Sequence, residues 1–296
     1  MTIRLKLLEC GALTPLWSEF RECEVSRNTG QSGVRAPHSK GSAVTIMRDA
    51  ILSLLYPTAC RVCGAMIESW RDGIACADCW DETARASLAQ DYCRKCGLPL
   101  PLLRIGLKLH ERRCNQCDEL AFNFARSCGP YHGALRESVL WLKTHPQIHH
   151  RMGELLKATF NRHCEFQHSQ SIIPMPLHPA RYAERTFNQA ETIAVALSAT
   201  TGIRVDTASV MRSKQTPKHR LGMGASERAR SLAHAFRVRA PRLIRGRIVL
   251  VVDDVMTTSS TAHELAGTLL AEGARAVNVL TIARAVDTIF DQFPTS

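Results

Sequence analysis

The stretch from Arg247 to Thr261, RIVLVVDDVMTTSST, limits what this chain can fold into more than any other. Ile248 to Val252 is an unbroken apolar run rich in β-branched residues. Such a run suits a parallel strand covered on both faces. It leads into two adjacent carboxylates, Asp253 and Asp254. After Val255 and Met256 come five hydroxyl residues, Thr257, Thr258, Ser259, Ser260 and Thr261. Ala262, Leu265, Ala266, Leu269 and Leu270 then recur at helical spacing. A buried strand, a polar turn and a helix start are therefore expected. A hydroxyl-rich turn opening a helix leaves backbone N–H groups and the positive end of the helix dipole free to hold a phosphate. The carboxylates can accept hydrogen bonds from a vicinal diol and help hold Mg²⁺. A diol and a phosphate on one small molecule point to a ribose 5-phosphate. Ser and Thr are also ordinary helix N-caps; the doubled Asp ahead of TTSST tips the reading towards phosphate.

Cysteine is the second constraint. Of twelve cysteines, eight form four Cys-x-x-Cys pairs: Cys60/Cys63, Cys76/Cys79, Cys93/Cys96 and Cys114/Cys117. Pairs at this spacing argue for metal in a reducing compartment, hence a cytoplasmic location, rather than for disulfides. Tetrahedral Zn²⁺ takes four thiolates. The simplest assignment is two sequential Cys₄ sites holding two zinc ions, with interleaved pairing as the alternative. Gly64 and Gly97 directly follow two pairs and can adopt positive φ to close the turn. Trp70, Trp80 and Leu98 can supply a small core. A segment this short buries little surface, so metal would contribute much of its folding free energy. Cys10, Cys23, Cys128 and Cys164 show no pairing logic.

The remaining sequence divides the chain. Residues 1–46 read as a disordered or mis-started extension: Arg27 to Ser42 is polar and Gly/Ser-rich, and Met47 opens an amphipathic pattern. Residues 47–120 carry the ribbons, and residues 121–296 a larger domain. In the latter, Phe124–Tyr131, Ser171–Leu177, Val205–Met211, Ala235–Arg239 and Ala276–Ala283 read as strands, with helices over 134–143, 149–164 and 190–201. His145, His149 and His150 read as a solvated face. Arg181, Arg185, Asn188 and Gln189 cluster after the proline-marked strand SIIPMPL, where Arg can grip phosphate oxygens bidentately. Arg212 to Ala235 is long, polar and basic, a lid or an insert. Strands alternating with helices predict a doubly wound parallel sheet, with ligands beyond the carboxyl ends of its strands. The net charge of +11 favours polyanionic partners. No apolar run approaches the length of a membrane span.

The loop Asp253–Thr261 resembles the phosphoribosyl-pyrophosphate (PRPP) loop of type I phosphoribosyltransferases, DDVxTTGxT. The order of parts is more discriminating. CRVCG, CADCW, CRKCGLPL and CNQC, then YHGALRESVLWLK, PMPLHPARYAERTFNQAE and VVDDVMTTSST, together resemble the ComF/GntX family over about residues 47 to 285. These bacterial proteins join an N-terminal double zinc ribbon to a type I phosphoribosyltransferase-like domain. The resemblance implies that Asp253 and Asp254 contact ribose hydroxyls with Mg²⁺ nearby, and that Thr257 to Thr261 wrap the 5-phosphate. It places Arg181 and Arg185 near the pyrophosphate. It also implies a role in DNA uptake and natural transformation, as an adaptor acting with single-stranded DNA and a helicase partner. The alternative is an active phosphoribosyltransferase, a glycosyltransferase moving phosphoribosyl from PRPP to a base or amine. The chain departs from the family pattern at Ser259 and Thr186, where glycine is usual, and at Ser231, where asparagine is. These departures, and the lack of an evident general base, favour binding over turnover.

Overall fold

The computed structural model describes residue 53 and residues 56–88, 92–100, 113–114, 117–215 and 234–285. The expected extension over 1–46, the amphipathic start at Met47, Ser231 and most of the basic segment after Arg212 lie outside the described residues. The helix of the first ribbon is α1 (Ala77–Leu88). Then come β1 (Phe124–Pro130), α2 (Gly133–Leu142), α3 (His150–Arg162), α4 (Cys164–Gln167) and β2 (Ser171–Pro174). They are followed by α5 (Pro179–Arg185), α6 (Gln189–Thr201), β3 (Val210–Arg212) and β4 (Phe236–Val238). The chain then forms β5 (Ile248–Met256), α7 (Ser260–Ala271) and β6 (Ala276–Arg284).

Four strands form a parallel sheet in the order β1-β6-β5-β2, so the run singled out in the sequence occupies an interior strand. Residues along a strand alternate between faces. Val249 and Val251 join Ala125, Ile173, Val277 and Val279 in one core, together with Ala262, Leu265, Ala266 and Leu269 of α7. Leu250 and Val252 join Phe124, Ile172 and Leu280 in the other, with α2, α3, α4 and α6. This is the expected doubly wound α/β arrangement. β3 and β4 do not join it; they form a separate antiparallel pair that brackets the segment between residues 212 and 236.

The described buried residues of the ribbons belong to the two cores of the sheet. Ile67, Ile74 and Trp80 of the first belong to the core shared with α2, α3 and α6. Cys93, Cys96 and Cys117 of the second belong to the core shared with α7. The second ribbon also touches an edge of the sheet. The Ala125 amide of β1 donates to Lys95 O at 2.7 Å. Gly97 sits beside this contact at φ +67, where a Cβ would come within 3.0 Å of Ala125 O. At the opposite edge, Ile172 of β2 donates to Arg204 O at 2.9 Å and accepts from the Asp206 amide at 2.8 Å.

Two sequence expectations need correction. Trp80 is buried and its indole donates to Asp72 O, but Trp70 is 65% exposed. Trp70 stands on the short 3₁₀ turn Trp70–Asp72, whose inward residue is Asp72, held by Arg151 at 2.9 Å. His149 is not on a solvated face. It packs against the first ribbon at Gly73, where an added Cβ would lie 2.5 Å from its ring, and burial pulls its pKa below the ordinary value.

Candidate functional site

β5 delivers Asp253 and Asp254 at the C-terminal end of the sheet. The Asp254 amide donates to Asp253 Oδ1 at 2.9 Å, and the Val255 amide to Asp254 Oδ1 at 2.7 Å, so the chain itself orients both carboxylates. Burial, and after it the neighbouring Asp254 charge, hold the Asp253 carboxyl well above the usual carboxylate range. Arg212, at the end of β3, opposes this shift. A carboxyl pair left this short of positive charge suits a hard cation such as Mg²⁺. When bound, such an ion would neutralise charge on a pyrophosphate, with Asp253 and Asp254 as the residues to hold it.

The turn that follows carries the hydroxyls. Thr257 and Thr258 are exposed, Ser260 and Thr261 are part-buried, and Ser259 is buried. Thr258 Oγ1 and Ser260 Oγ lie 3.0 Å apart. A small cavity of about 40 Å³ is bounded by Asp253, Thr257, Ser259 and Thr261 on the turn and by Thr281 on β6. Ser259 is the N-cap of α7, yet it adopts the left-handed region at φ +64 and its side chain makes no capping bond. Its hydroxyl instead accepts from Arg284 Nη1 at 2.9 Å. A non-glycine residue here is strained. The turn therefore keeps a glycine-type conformation with a serine, and a buried arginine holds that serine.

The neighbouring strand supplies the second loop. The Met175 amide donates to Val252 O at 2.8 Å, which ties the exit of β2 to β5. Asn188 Nδ2 donates to Met175 O at 3.0 Å, while its Oδ1 accepts from the Ala190 amide and caps α6. Asn188 thus closes the excursion that carries Arg181 and Arg185. Arg185 Nη1 donates to Gln189 Oε1 at 3.0 Å. Thr186, the other replaced glycine, caps α5 at φ +65, its amide donating to Tyr182 O at 2.8 Å. A left-handed residue is the usual end of a helix, and glycine the usual occupant.

Sequence reasoning overlooked Arg212 and Arg284. Both are buried arginines at the last residue of a strand, at 7% and 4% exposure. The available signal was a cation directly after an apolar run, as in SVMR and LTIAR.

The cysteines resolve into two sets, Cys60/Cys63/Cys76/Cys79 and Cys93/Cys96/Cys114/Cys117, with all ligand atoms in a set within 4.8 Å of one another. The sequential pairing is the one formed. Sulfur pairs such as Cys63–Cys76 at 3.7 Å and Cys96–Cys114 at 3.6 Å match the edge of a ZnS₄ tetrahedron, about 3.8 Å for Zn–S bonds of about 2.3 Å. The four thiols of a set cannot ionise together without a cation. Against the opposing effect of burial, backbone hydrogen bonds bring Cys60 down to about 6, whereas burial and the neighbouring thiols push Cys79 far up. Both sets fit zinc. Gly64 and Gly97 take positive φ at the turns, as expected.

Residues 51–118 match the double zinc ribbon domain. The chain is 38% identical over 113 residues to DNA utilization protein YhgH of Escherichia coli, which covers 38% of this chain and 48% of that protein. It is 35% identical over 117 residues to Competence protein F of Haemophilus influenzae, covering 39% and 51%. The chain thus spans about half the length of these relatives. Among solved structures, glutamine PRPP amidotransferase from B. subtilis aligns at 14% identity and TM-score 0.33, over 49% of this chain and 30% of that one. A purine phosphoribosyltransferase from Pyrococcus horikoshii aligns at 15% and 0.28, over 48% and 89%. Structural likenesses this low carry no weight for the site. Among the described residues no helix is long and apolar enough to cross a membrane. The chain carries a double zinc ribbon in front of a doubly wound α/β sheet, and its relatives support the resemblance to the ComF/GntX family.

Proposed function

We propose that the turn Asp253–Thr261 binds PRPP or a related phosphoribosyl ligand with Mg²⁺. In this reading the chain serves DNA uptake as a cytoplasmic adaptor for single-stranded DNA or a helicase. Asp253 and Asp254 would meet the ribose hydroxyls, Thr257 to Thr261 the 5-phosphate, and Arg181 and Arg185 the pyrophosphate. One observation carries the ligand reading. Two chain-oriented carboxylates and a hydroxyl turn leave the C-terminal end of an interior parallel strand together, directly before a helix N-terminus. Ligands in such sheets bind at that end. The names of the relatives, DNA utilization protein and Competence protein F, support the adaptor role. The basic stretch from Arg212 to Arg230 adds sequence support for backbone contact with nucleic acid.

Calorimetric titration with PRPP and Mg²⁺ tests the ligand reading. Saturable binding is expected for the wild type and its loss in Asp253→Ala and Asp254→Ala; a wild type that takes up no PRPP would sink it. Single-stranded DNA should bind at low salt and weaken steeply as salt rises.

The transferase reading has one observation in its favour. Ser259 keeps the left-handed conformation that glycine would supply, so the departure leaves the shape of the turn intact. Catalysis would then rest on positioning and charge stabilisation. Pyrophosphate release from PRPP with any base or amine in a panel would establish it.

A further inference from the structure

A cavity of about 200 Å³ opens between the second ribbon, β1, α1 and α3, its lining distinct from that of the turn's cavity. Arg284 lines the cavity and also holds Ser259, and Ser127 of the lining pairs with Thr281, beside the turn, at 2.6 Å. The lining combines cationic and hydroxyl side chains with Cys128 and His163. Arg126, Arg162 and Arg284 supply three guanidiniums, while the hydroxyls of Ser87, Tyr92 and Thr159 already donate to Thr83 O, Ser87 O and Leu155 O, and Ser127 pairs with Thr281. Among the described residues no carboxylate lines it. Arg284 is 4% exposed, and its Nε is buried without a hydrogen-bond partner. A buried guanidinium N–H left unmade is costly, so the group is poised for an acceptor. Arg126 is already committed in part, with Nη1 donating to Cys93 O and Ala125 O and the guanidinium 4.1 Å over the Phe124 ring. Arg162 is exposed, at the end of α3.

The charges behind the wall must be counted. Four thiolates around Zn²⁺ leave a net charge of about −2. The thiolates of the second ribbon act on Arg284, and Glu165 with Cys93 and Cys96 acts on Arg126. The Arg284 Nε–H nonetheless has no acceptor of its own. The lining also selects among anions. Forked guanidinium N–H donors match the tetrahedral oxygens of phosphate. The volume is below the roughly 300 Å³ at which pockets begin to enclose a drug-sized ligand, so it admits a head group rather than a whole nucleotide.

We propose that this cavity is a second anion site, separate from the turn Asp253–Thr261, which takes a phosphate head group as free phosphate or as a terminal phosphomonoester. Arg284 Nε and the Arg162 guanidinium hold the phosphate oxygens, the second of them at the mouth.

The test uses the zinc-loaded full chain carrying Thr257→Ala and Thr258→Ala, which removes hydroxyls that would hold phosphate at the turn. It is titrated calorimetrically at low ionic strength with orthophosphate in one arm and a 5′-mononucleotide in the other. One saturable site per chain is expected in at least one arm. Saturation by orthophosphate identifies the free ion as sufficient; saturation by the nucleotide alone assigns the site to the ester. Arg162→Glu, on the surface, should weaken binding by about tenfold or more, and Arg284→Met by at least as much. Should Arg284→Met fail to fold, Arg162→Glu decides alone. Absence of saturation in both arms overturns the proposal, as does an affinity that Arg162→Glu leaves within about twofold.

Discussion

Ser259 and Thr186 share a backbone conformation and differ in what their side chains do. Each is held at positive φ, which costs an L residue about 1–2 kcal/mol. Thr186 is exposed and its hydroxyl reaches only the adjacent Arg185 carbonyl. Thr186→Gly should therefore raise stability by about 1 kcal/mol, read as a higher urea midpoint with zinc in excess. Ser259→Gly removes the same strain but also the hydrogen bond to buried Arg284. A bond to a charged group is worth about 1.5–3 kcal/mol, so the loss wins. Ser259→Gly should lower stability by about 1 kcal/mol, and a gain would mean that Arg284 does not hold the turn. Asp253 gives a pH prediction. Its folded pKa is raised from 3.8, so the folded state retains a proton that the unfolded state releases. The stability this group contributes is full below about pH 4 and is lost as pH rises through the folded value. Asp253→Asn should be more stable than wild type at neutral pH, with a margin that grows with pH above about 4, while losing Mg²⁺-dependent ligand binding. His163 acts with the opposite sign. Burial, then Arg126 and Arg162, take it from 6.5 down to about 3, so its contribution is lost as pH falls from about 6.5 towards 3. His163→Gln should flatten that acid limb, whose slope is at most about 1.4 kcal/mol per pH unit. The Ser259–Arg284 bond and the packing of His163 near Arg126 were not legible in the sequence, because each joins residues distant along the chain.

At the scale of elements, β5 was the most legible feature. An apolar run longer than one face requires can only be buried on both sides, and Leu250 and Val251, pointing opposite ways, are each fully buried. Leu250→Ala should cost about 2–5 kcal/mol, measured by denaturant unfolding, because the flanking strands limit collapse around the void. A cost below about 1 kcal/mol would show that this face is loosely packed. The turn after β5 was legible as hydroxyl-rich, but not as left-handed at Ser259. The short strands β3 and β4 were legible as extended segments only. Their antiparallel pairing depends on the path of the chain between them, and local pattern does not encode that path. Sequence separated the ribbons from the α/β domain by composition. It gave no sign that Lys95 would reach the Ala125 amide, since a backbone carbonyl leaves no residue-type signal.

Taken as a whole, the molecule places its two thiol clusters in two different cores, one on each face of the same sheet. A metal site embedded this way is coupled to everything its core supports. Removing zinc with a chelator should lower the melting temperature of the α/β sheet along with that of the ribbons, as one transition in calorimetry and circular dichroism. Two separate transitions, the later one unmoved by chelator, would make the ribbons an independent module.

The contact between Lys95 and β1 has a further consequence, for solubility. An unpaired outer strand is a template on which a second chain can add. In this fold the knuckle of the second ribbon stands against one outer strand, and the segment Arg204–Asp206 stands against the other. Metal bound at the second ribbon would thus guard against strand-to-strand polymerisation. Protein stripped of zinc at the second ribbon should cluster through β1 in light scattering well before it loses its helices, and metal returned early should disperse it.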